Sequence, residues 1–453
     1  MKALIEQQRQ LFNSNATKSL EFRSEQLKKL RVAIRNNERE LLDAVFKDFQ
    51  KASYNTLLTE LSGVYHELDL AIRKLGKWSK SKRVATHLAN IPGASYVIPE
   101  PLGVCLIIGA WNYPVNLSLV PMIAAIAAGN TVILKPSELA SHTSAALSEM
   151  IRKNFDPSLI TVVEGGVKET TELLEQSFDK IFFTGSVSVG KIVYQAAAKN
   201  LTPVTLELGG KSPLIIVPDA NLKIVVKRLV WGKFVNAGQT CVAPDYVLVH
   251  KSIEKEFLEI LKREIELGQF SLENKNYAQI ISERHFDRLL ELIDPKAVFF
   301  GGQHDRVKRL LAPTVLTNVS PDDKVMSDEI FGPILPVLTY DDIDSAIAFV
   351  KSRPKPLALY LFTESSDVRE KIFKEVSFGG GAVNDVLVHL ANDELPFGGV
   401  GNSGTGSYHG EAGFRTFSHY KSIIRRPTWF EPPLRYYPYT DWKLSVIRRI
   451  FGM

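Results

Sequence analysis

One continuous stretch, LGVCLIIGAWNYPVNLSLVPMIAAIAAGNTVILK at residues 102–135, predicts the fold class of this chain. It runs from an apolar segment typical of a strand buried on both faces, through a polar loop and an apolar helix, into a second apolar strand. A second round of strand and helix patterns follows. This alternation predicts an α/β fold with parallel sheets, in which ligands bind at the carboxyl ends of the strands. The loops at Asn112, Lys135 and Gly185 all follow strands, so we expect them to lie together.

Length and composition bound the class of protein. A chain of 453 residues with 45% hydrophobic and 23% charged residues is typical of a soluble globular protein with two or three domains. Its two cysteines, Cys105 and Cys241, form no Cys-x-x-Cys pair and indicate a reducing compartment. The start lacks the apolar core of a signal peptide, and the longest apolar helix is too short to cross a membrane. We therefore expect a cytoplasmic protein.

Several function classes find no support in the sequence. The net charge of +5 equals that of residues 421–453 alone, so the rest of the chain is neutral and offers no basic face for nucleic acid. No histidine or cysteine spacing fits a zinc site, and we expect no metal. The segment GSVSVGK at 185–191 resembles a P-loop, but Ile192 stands where a magnesium-binding hydroxyl is needed. What remains is a glycine turn that opens a helix, which can bind an anion.

The stretch GQTCVAPD at 238–245 is the candidate for the chemistry. Cys241 follows a polar turn after a helical pattern, so its sulfur can face a cleft and act as a nucleophile. A cysteine that is merely buried fits this turn equally well. Cys105, inside an apolar strand, is interpreted as a small core side chain.

Four polar residues are candidate partners of that cysteine, and each has an ordinary alternative. Glu207 lies among apolar residues, where a desolvated carboxylate becomes a useful general base, or it is a structural carboxylate paired with an arginine. Asn112 can donate to an oxyanion, or it only shapes a turn. Lys135 and Glu138 can bind a ribose, where the carboxylate favours NAD over NADP, or they form a solvated ion pair.

The order of these segments resembles that of the aldehyde dehydrogenase superfamily over essentially the whole chain. The motifs that carry the resemblance are GAWNYP (109–114), KPSE (135–138), FTGS (183–186), LELGGK (206–211), GQTC (238–241) and EIFGP (329–333). Three further segments are similar to the class 3 branch, which includes the fatty aldehyde dehydrogenases: APD (243–245), SYHG (407–410) and FSH (417–419).

The resemblance implies a role for each candidate residue. Cys241 would attack the aldehyde to give a thiohemiacetal and then a thioester, Asn112 and the Cys241 backbone N–H would hold the oxyanion, and Glu207 would activate the hydrolytic water. NAD would be the cofactor, with NADP also accepted. The residues that the resemblance places at the cofactor are Trp111, Lys135, Glu138, Gly185, Ser186, Gly190, Leu208, Glu329 and Phe331.

The resemblance also implies a domain organisation and a homodimer. It gives a Rossmann-like NAD(P)-binding domain (1–80 and 102–205), an α/β catalytic domain (206–400), a small β bridging element that makes the dimer (81–101 and 401–427) and a C-terminal tail (428–453).

The tail carries an amphipathic basic helix, expected over residues 442–451 with Asp441 as its cap. Such a helix can rest on a membrane surface, or it can pack over the subunit's own substrate funnel. Its apolar character predicts medium-to-long-chain or other apolar aldehydes as substrates.

Three competing functions are kept in view. A CoA-acylating aldehyde dehydrogenase typically departs from the family at the general-base glutamate, which this chain retains as Glu207. A thioesterase-like cysteine hydrolase would need no nicotinamide. A non-catalytic structural or binding homologue would be expected to have lost Cys241, Glu207 or Asn112, and all three are present.

Overall fold

All 453 residues are described by a computed structural model, which divides into two units. Unit 1 comprises residues 1–78 and 101–419, and unit 2 comprises 79–100 and 420–453. The division into cofactor, catalytic and bridging domains that the sequence predicts stays a prediction. The sheets described below give the α/β architecture expected from the alternating strand and helix patterns.

The first 78 residues are helical. The helices are α1 (Lys2–Asn13), α2 (Leu20–Asn36), α3 (Glu38–Phe49), α4 (Ser53–Thr56) and α5 (Ser62–Trp78), and a π-helical turn (Leu57–Leu61) joins the last two. Each long helix buries one apolar stripe, as Leu27, Leu30 and Ile34 do on α2, and exposes its charged face. Two short strands of unit 2 follow, β1 (Lys82–Val84) and β2 (Ala94–Pro101).

A six-stranded sheet forms the first half of unit 1. Its elements are β3 (Val104–Ile108), α6 (Asn116–Ala128), β4 (Thr131–Lys135), α7 (Ser141–Asn154), β5 (Ile160–Val162), α8 (Val167–Leu174), β6 (Lys180–Thr184), α9 (Val187–Ala198) and β7 (Val204–Glu207). The order β7-β6-β3-β4-β5 is parallel throughout, and a short strand from later in the chain pairs antiparallel with β7. The loops after β3, β4, β6 and β7 therefore leave from the same edge of the sheet.

Burial on both faces explains why β3 is a continuous apolar run. Cys105 and Ile107 belong to the core that contains α6, whereas Val104 and Leu106 belong to a second core on the opposite face of the sheet. Since Cys105 is fully buried, its interpretation as a core side chain is confirmed.

A seven-stranded sheet forms the second half of unit 1. This half of the chain contains, in order, β8 (Pro213–Ile216), α10 (Leu222–Phe234), β9 (Tyr246–His250), α11 (Glu254–Gly268), α12 (Glu283–Leu290), β10 (Val298–Phe300), β11 (His304–Asp305), β12 (Leu310–Leu311), β13 (Thr314–Leu316), α13 (Lys324–Ser327), β14 (Ile334–Tyr340), α14 (Ile343–Lys351), β15 (Ala358–Phe362), α15 (Ser366–Glu375), β16 (Gly380–Val383), β17 (Gly404–Thr405) and α16 (Gly410–Thr416). The strand order is β10-β13-β14-β9-β8-β15-β16, in which only β10 is antiparallel, while β11 and β12 form a separate hairpin and β17 is the antiparallel strand beside β7.

Unit 2 contains a three-stranded sheet and the last helix. The strand order is β1-β2-β18, where β18 spans Ser418–Arg425, and the helix α17 spans Asp441–Phe451. The expected cap of this helix is corrected: Thr440 is the N-cap, because its hydroxyl accepts the Lys443 N–H, and Asp441 is the first helical residue. No helix anywhere in the chain has both the length and the apolar character needed to cross a membrane.

Candidate active site

A cleft of about 1740 Å³ lies at the strand ends of unit 1. It exceeds the roughly 300–1,000 Å³ of a typical small-ligand pocket, so it can admit an extended ligand together with a second one. Eleven of the twelve site residues suggested by the sequence line it: Trp111, Asn112, Lys135, Glu138, Gly185, Ser186, Glu207, Leu208, Cys241, Glu329 and Phe331. The candidate catalytic residues and the candidate cofactor-binding residues from both sheets therefore line the same cleft.

The turn that presents Cys241 is irregular. As the sequence pattern indicates, Cys241 follows a turn after a helix: α10 ends at Phe234, and a short 3-10 turn, Val235–Gly238, comes next. Within that turn Asn236 and Ala237 have φ of 52° and 53°. Left-handed backbone is common for Asn but unfavourable for Ala, so at Ala237 it persists because the surroundings enforce it, as is common at functional sites.

Hydrogen bonds connect the Cys241 turn to the loop after β3. Asn112 Nδ2 donates to Gln239 O at 3.1 Å, and Asn236 Nδ2 donates to Asn112 O at 2.9 Å. The Gln239 side chain is fully buried and bonds Asn236 O and Ile281 N, both at 3.0 Å. Asn112 is thus fixed beside the Cys241 turn by its backbone and its side chain.

The surroundings of the Cys241 thiol disfavour its deprotonated form. Burial raises its pKa to about 12, and the Glu329 and Glu207 carboxylates act in the same direction. A thiol in this state needs a base or a nearby positive charge before it becomes a strong nucleophile.

Glu207 is a buried carboxylate without a hydrogen-bond partner. It ends β7, is 3% exposed, and neither of its side-chain oxygens accepts a hydrogen bond from the protein. Burial raises its pKa well above the usual range. The alternative that Glu207 pairs with an arginine is therefore wrong. Buried polar atoms that the protein leaves unpaired indicate a ligand or a water as their partner.

A second carboxylate of the cleft, Glu329, is held by contacts that the sequence reasoning missed. The Asp245 carboxylate accepts the Ile330 N–H at 2.9 Å and forms an ion pair with Lys211, whose ammonium also donates to Asp328 O at 2.8 Å. Burial raises the pKa of Glu329 well above its usual range, and the neighbouring Asp245 adds to that rise. Asp245 follows three small or apolar residues, so the argument applied to Glu207 could have found it.

Lys135 and Glu138 lie at the end of β4. Lys135 is 1% exposed and its ammonium donates to Pro136 O at 2.8 Å, with the Glu138 carboxylate 3.8 Å away and half exposed. Burial lowers the pKa of Lys135, whereas Glu138 raises it. The alternative of a solvated surface pair is wrong for Lys135, because its charge lies at the wall of a cleft.

The turn after β6 opens a helix toward the cleft. Ser186 is the N-cap of α9 and accepts the Val189 N–H, and a side chain on Gly185 would come within 2.6 Å of the Phe183 ring. The free N–H groups of such a helix start can bind an anion. Gly190 does not line the cleft. It is buried, and a Cβ on it would lie 2.6 Å from Leu208, so its predicted cofactor contact is corrected to a packing role.

Aromatic rings form one wall of the cleft. The Trp111 ring packs edge-on against Phe331, with ring centroids 5.2 Å apart, and at a tilt against His285, with centroids 5.1 Å apart. Phe331 has a left-handed backbone, with φ of 51°. No group of three His, Cys, Asp or Glu residues in the chain could hold a metal ion.

Comparisons with known proteins point to one family and one fold. A family profile described as "Aldehyde dehydrogenase family" matches residues 1–423. A Staphylococcus aureus protein named 4,4'-diaponeurosporen-aldehyde dehydrogenase is 46% identical over 97% of this chain and 96% of its own length. A mouse protein named "Aldehyde dehydrogenase, dimeric NADP-preferring" is 46% identical over 94% of both chains. A solved structure, described as the substrate-bound state of Staphylococcus aureus AldH, superposes with a TM-score of 0.97 at 45% identity and covers 99% of both chains.

Proposed function

Since this chain belongs to the aldehyde dehydrogenase family and so oxidises aldehydes to carboxylic acids with NAD(P), we propose that Cys241, Asn112 and Glu207 carry out that reaction. The observation that carries the proposal is that these three side chains line one cleft, in which the Glu207 oxygens accept no hydrogen bond from the protein.

The first half of the reaction forms an acyl-enzyme. Cys241 Sγ attacks the carbonyl carbon, and its proton leaves to solvent through the open cleft. The amide N–H of Asn112 and the backbone N–H of Cys241 stabilise the oxyanion of the thiohemiacetal. NAD(P), held by the cleft residues described below, would supply the oxidant for the conversion of the thiohemiacetal to the thioester.

The second half hydrolyses the thioester. Glu207 takes a proton from a water molecule, the hydroxyl adds to the acyl carbon, and the C–S bond breaks to release the carboxylic acid and the Cys241 sulfur. A raised pKa makes the Glu207 carboxylate a better base than a solvated one. Exclusion of bulk water from this buried position limits other reactions of the acyl-enzyme.

The cleft has the polar groups that a dinucleotide requires. The Lys135 ammonium and the Glu138 carboxylate can bond the hydroxyls of one ribose, and the start of α9 at Ser186 can bond the pyrophosphate. Glu329 can hold the second ribose. The exposed apolar side chains of Val167 and Ile192 line the same cleft and suit the faces of a planar base.

The first experiment is turnover with product identification. The purified protein, given an aldehyde and NAD or NADP, is expected to accumulate reduced cofactor and free acid in equal amounts. Addition of coenzyme A separates the alternatives: an acyl-CoA product would support the CoA-acylating alternative, and acid release without cofactor reduction would support a simple hydrolase.

The cofactor preference is expected to depend on Glu138. Its half-exposed carboxylate would repel the 2′-phosphate of NADP, so Glu138→Gln should raise kcat/KM for NADP relative to that for NAD by about tenfold, the effect of losing one unfavourable charge contact. The ratio of the two kcat/KM values measures this. An unchanged ratio would remove Glu138 from the ribose site.

Apolar aldehydes are the proposed substrate class. The proposal is supported by the apolar residues of the tail and by the relative named for 4,4'-diaponeurosporen-aldehyde. Octanal and decanal should show at least about tenfold higher kcat/KM than propanal, because each buried CH₂ contributes about 0.8 kcal/mol. Equal kcat/KM values from propanal to decanal would contradict apolar aldehydes as the substrate class.

A homodimer is proposed as the working assembly. Support comes from the mouse relative, which is named dimeric, and from the edge strand β18, which has a free pairing side and exposes Ile423 and Ile424. Light scattering should give twice the 50.6 kDa of one chain. The mass of a single chain at micromolar concentration would contradict the dimer.

Peripheral contact with a membrane is proposed for the tail of a cytoplasmic protein. Trp442, Ile450 and Phe451 on α17 are exposed, and Arg448 and Arg449 lie in its last turn. Such a helix should bind vesicles rich in anionic lipid and dissociate in high salt. A variant that ends at residue 428 is the control. If the full chain cosediments with vesicles no more than this variant does, the membrane contact is ruled out.

A further inference from the structure

A buried ion pair lies behind the wall of the active-site cleft. Lys51 is 1% exposed and Glu60 is fully buried, and Lys51 Nζ lies 3.0 Å from Glu60 Oε1. Neither side chain lines the cleft. Burying two charges costs more free energy than an apolar pair of the same size, so stability alone gives a weak account of this pair.

Glu60 fixes the start of the helix that follows the Asn112 loop. Its Oε2 accepts the backbone N–H of Val115 at 2.9 Å and of Asn116 at 3.4 Å, and α6 begins at Asn116. The first N–H groups of a helix have no partner inside the helix, and a carboxylate is a favourable cap. Glu60 itself lies in the π-helical turn Leu57–Leu61, a distortion that often occurs at functional sites.

Lys51 connects the same pair to the nucleophile. Its ammonium lies over the Tyr113 ring, 4.4 Å from the centroid. The Tyr113 hydroxyl is 2.6 Å from Thr240 Oγ1, and Thr240 directly precedes Cys241. A cation over an aromatic face is more strongly attracted when it is desolvated, and Lys51 is almost completely buried.

We propose that Lys51 and Glu60 are positioning residues, which together hold the oxyanion donor Asn112 and the nucleophile Cys241 in their relative places. Glu60 holds the backbone on the C-terminal side of the Asn112 loop, and Lys51 holds Tyr113, which bonds the residue before the cysteine. This inference rests on the proposed roles of Asn112 and Cys241.

Four variants test the pair. Lys51→Met removes the charge over the Tyr113 ring and keeps the chain length, whereas Glu60→Gln removes the carboxylate charge and keeps an oxygen for the two N–H groups. The double variant should lose no more than the worse single one, because residues that act as a unit are not additive. Tyr113→Phe breaks only the bond to Thr240 and should fold even if the charge variants do not.

Asp48→Asn is the matched control. Asp48 is also a buried carboxylate that caps a helix, since it accepts the N–H groups of His142 and Thr143 at the start of α7, but it has no contact with the Cys241 turn. Its kcat should stay within about twofold of the wild type at saturating cofactor.

Two rates are measured on protein shown to be folded. The first is aldehyde oxidation at saturating cofactor, and the second is acylation by p-nitrophenyl acetate, which needs Cys241 and the oxyanion donors but no cofactor. Each single variant should lose about 10- to 100-fold in both rates, the effect of a displacement near 1 Å, with KM for the aldehyde changed less than threefold. A purely structural pair would lower Tm and leave kcat of the folded protein unchanged.

Each outcome has one interpretation. Folded Lys51→Met, Glu60→Gln or Tyr113→Phe with kcat and acylation rate within twofold of wild type would overturn the inference, and so would an equal loss in Asp48→Asn. If the wild type fails to oxidise aldehydes yet is acylated at Cys241, the proposed function is wrong. The acylation rates of the variants then still test whether Lys51 and Glu60 position Cys241 and Asn112.

Discussion

Cys241→Ala is expected to lose dehydrogenase activity by on the order of 10³-fold or more, because no other side chain of the cleft can form the thioester. Cys241 is the only cysteine that lines the cleft, so its sulfur alone can hold the acyl group that remains after the hydride has left. The assay is reduced-cofactor formation at saturating aldehyde and NAD, with the folded state checked by Tm.

Cys105→Ala is the matched control for this variant. Cys105 is fully buried in β3, away from the cleft lining, and burial raises the pKa of its thiol far beyond the physiological range. This variant should keep kcat within about twofold, with only a lower Tm from the small cavity. If Cys105→Ala lost activity and Cys241→Ala kept it, Cys105 and not Cys241 would be the nucleophile.

Glu207→Gln is expected to stop the reaction after acylation. The variant should give a burst of about one reduced cofactor per active site, followed by a steady state lower than wild type by about 10²- to 10³-fold, the usual contribution of a general base. The amide fits the same buried space but cannot take a proton from water. Rapid-mixing absorbance measures the burst and the steady state together.

The pH dependence gives a second readout of the same residue. Because burial raises the pKa of Glu207, the wild-type kcat should fall as the pH falls through that raised pKa and the carboxylate becomes protonated. Glu207→Gln should lack this acidic limb. Glu329→Gln is the comparison, because Glu329 is the other carboxylate of the cleft with a raised pKa. A burst in Glu329→Gln and none in Glu207→Gln would exchange their roles.

The sequence could predict the elements whose signal is local. The apolar run of β3 requires burial on both faces, and strand, loop and helix follow in an order that only a parallel sheet satisfies. Since Asn112, Lys135 and Gly185 each follow a strand of that sheet, their convergence follows from topology. Glu207 could be found because a carboxylate at the end of a buried strand has an unusual environment.

Contacts between distant parts of the chain could not be predicted in the same way. Asp245 orders the segment of Glu329 through Ile330 and Lys211, across more than 30 residues on either side, and no periodicity reports such a pairing. The resemblance places Gly190 at the cofactor. Only the packing of α9 shows that it faces Leu208 instead of the cleft.

The irregular backbone of the turn before Cys241 could not be predicted from the sequence either. The sequence pattern indicates a turn before Cys241, but it does not show that Asn236 and Ala237 adopt a left-handed backbone there. Left-handed Asn236 and Ala237 are local costs that the buried Gln239 and Asn112 hydrogen bonds offset. Secondary-structure propensity predicts the conformation of a segment as a whole, whereas tertiary contacts determine the residues that depart from it.

The covalent intermediate itself offers the most direct test. Glu207→Gln is mixed with octanal and NAD, quenched in acid and digested, and the peptide containing Cys241 is weighed. We expect that peptide to carry one octanoyl group, in proportion to the reduced cofactor formed, and the peptide containing Cys105 to be unmodified. Reduced cofactor without any acyl group on Cys241 would contradict a thioester mechanism at this residue.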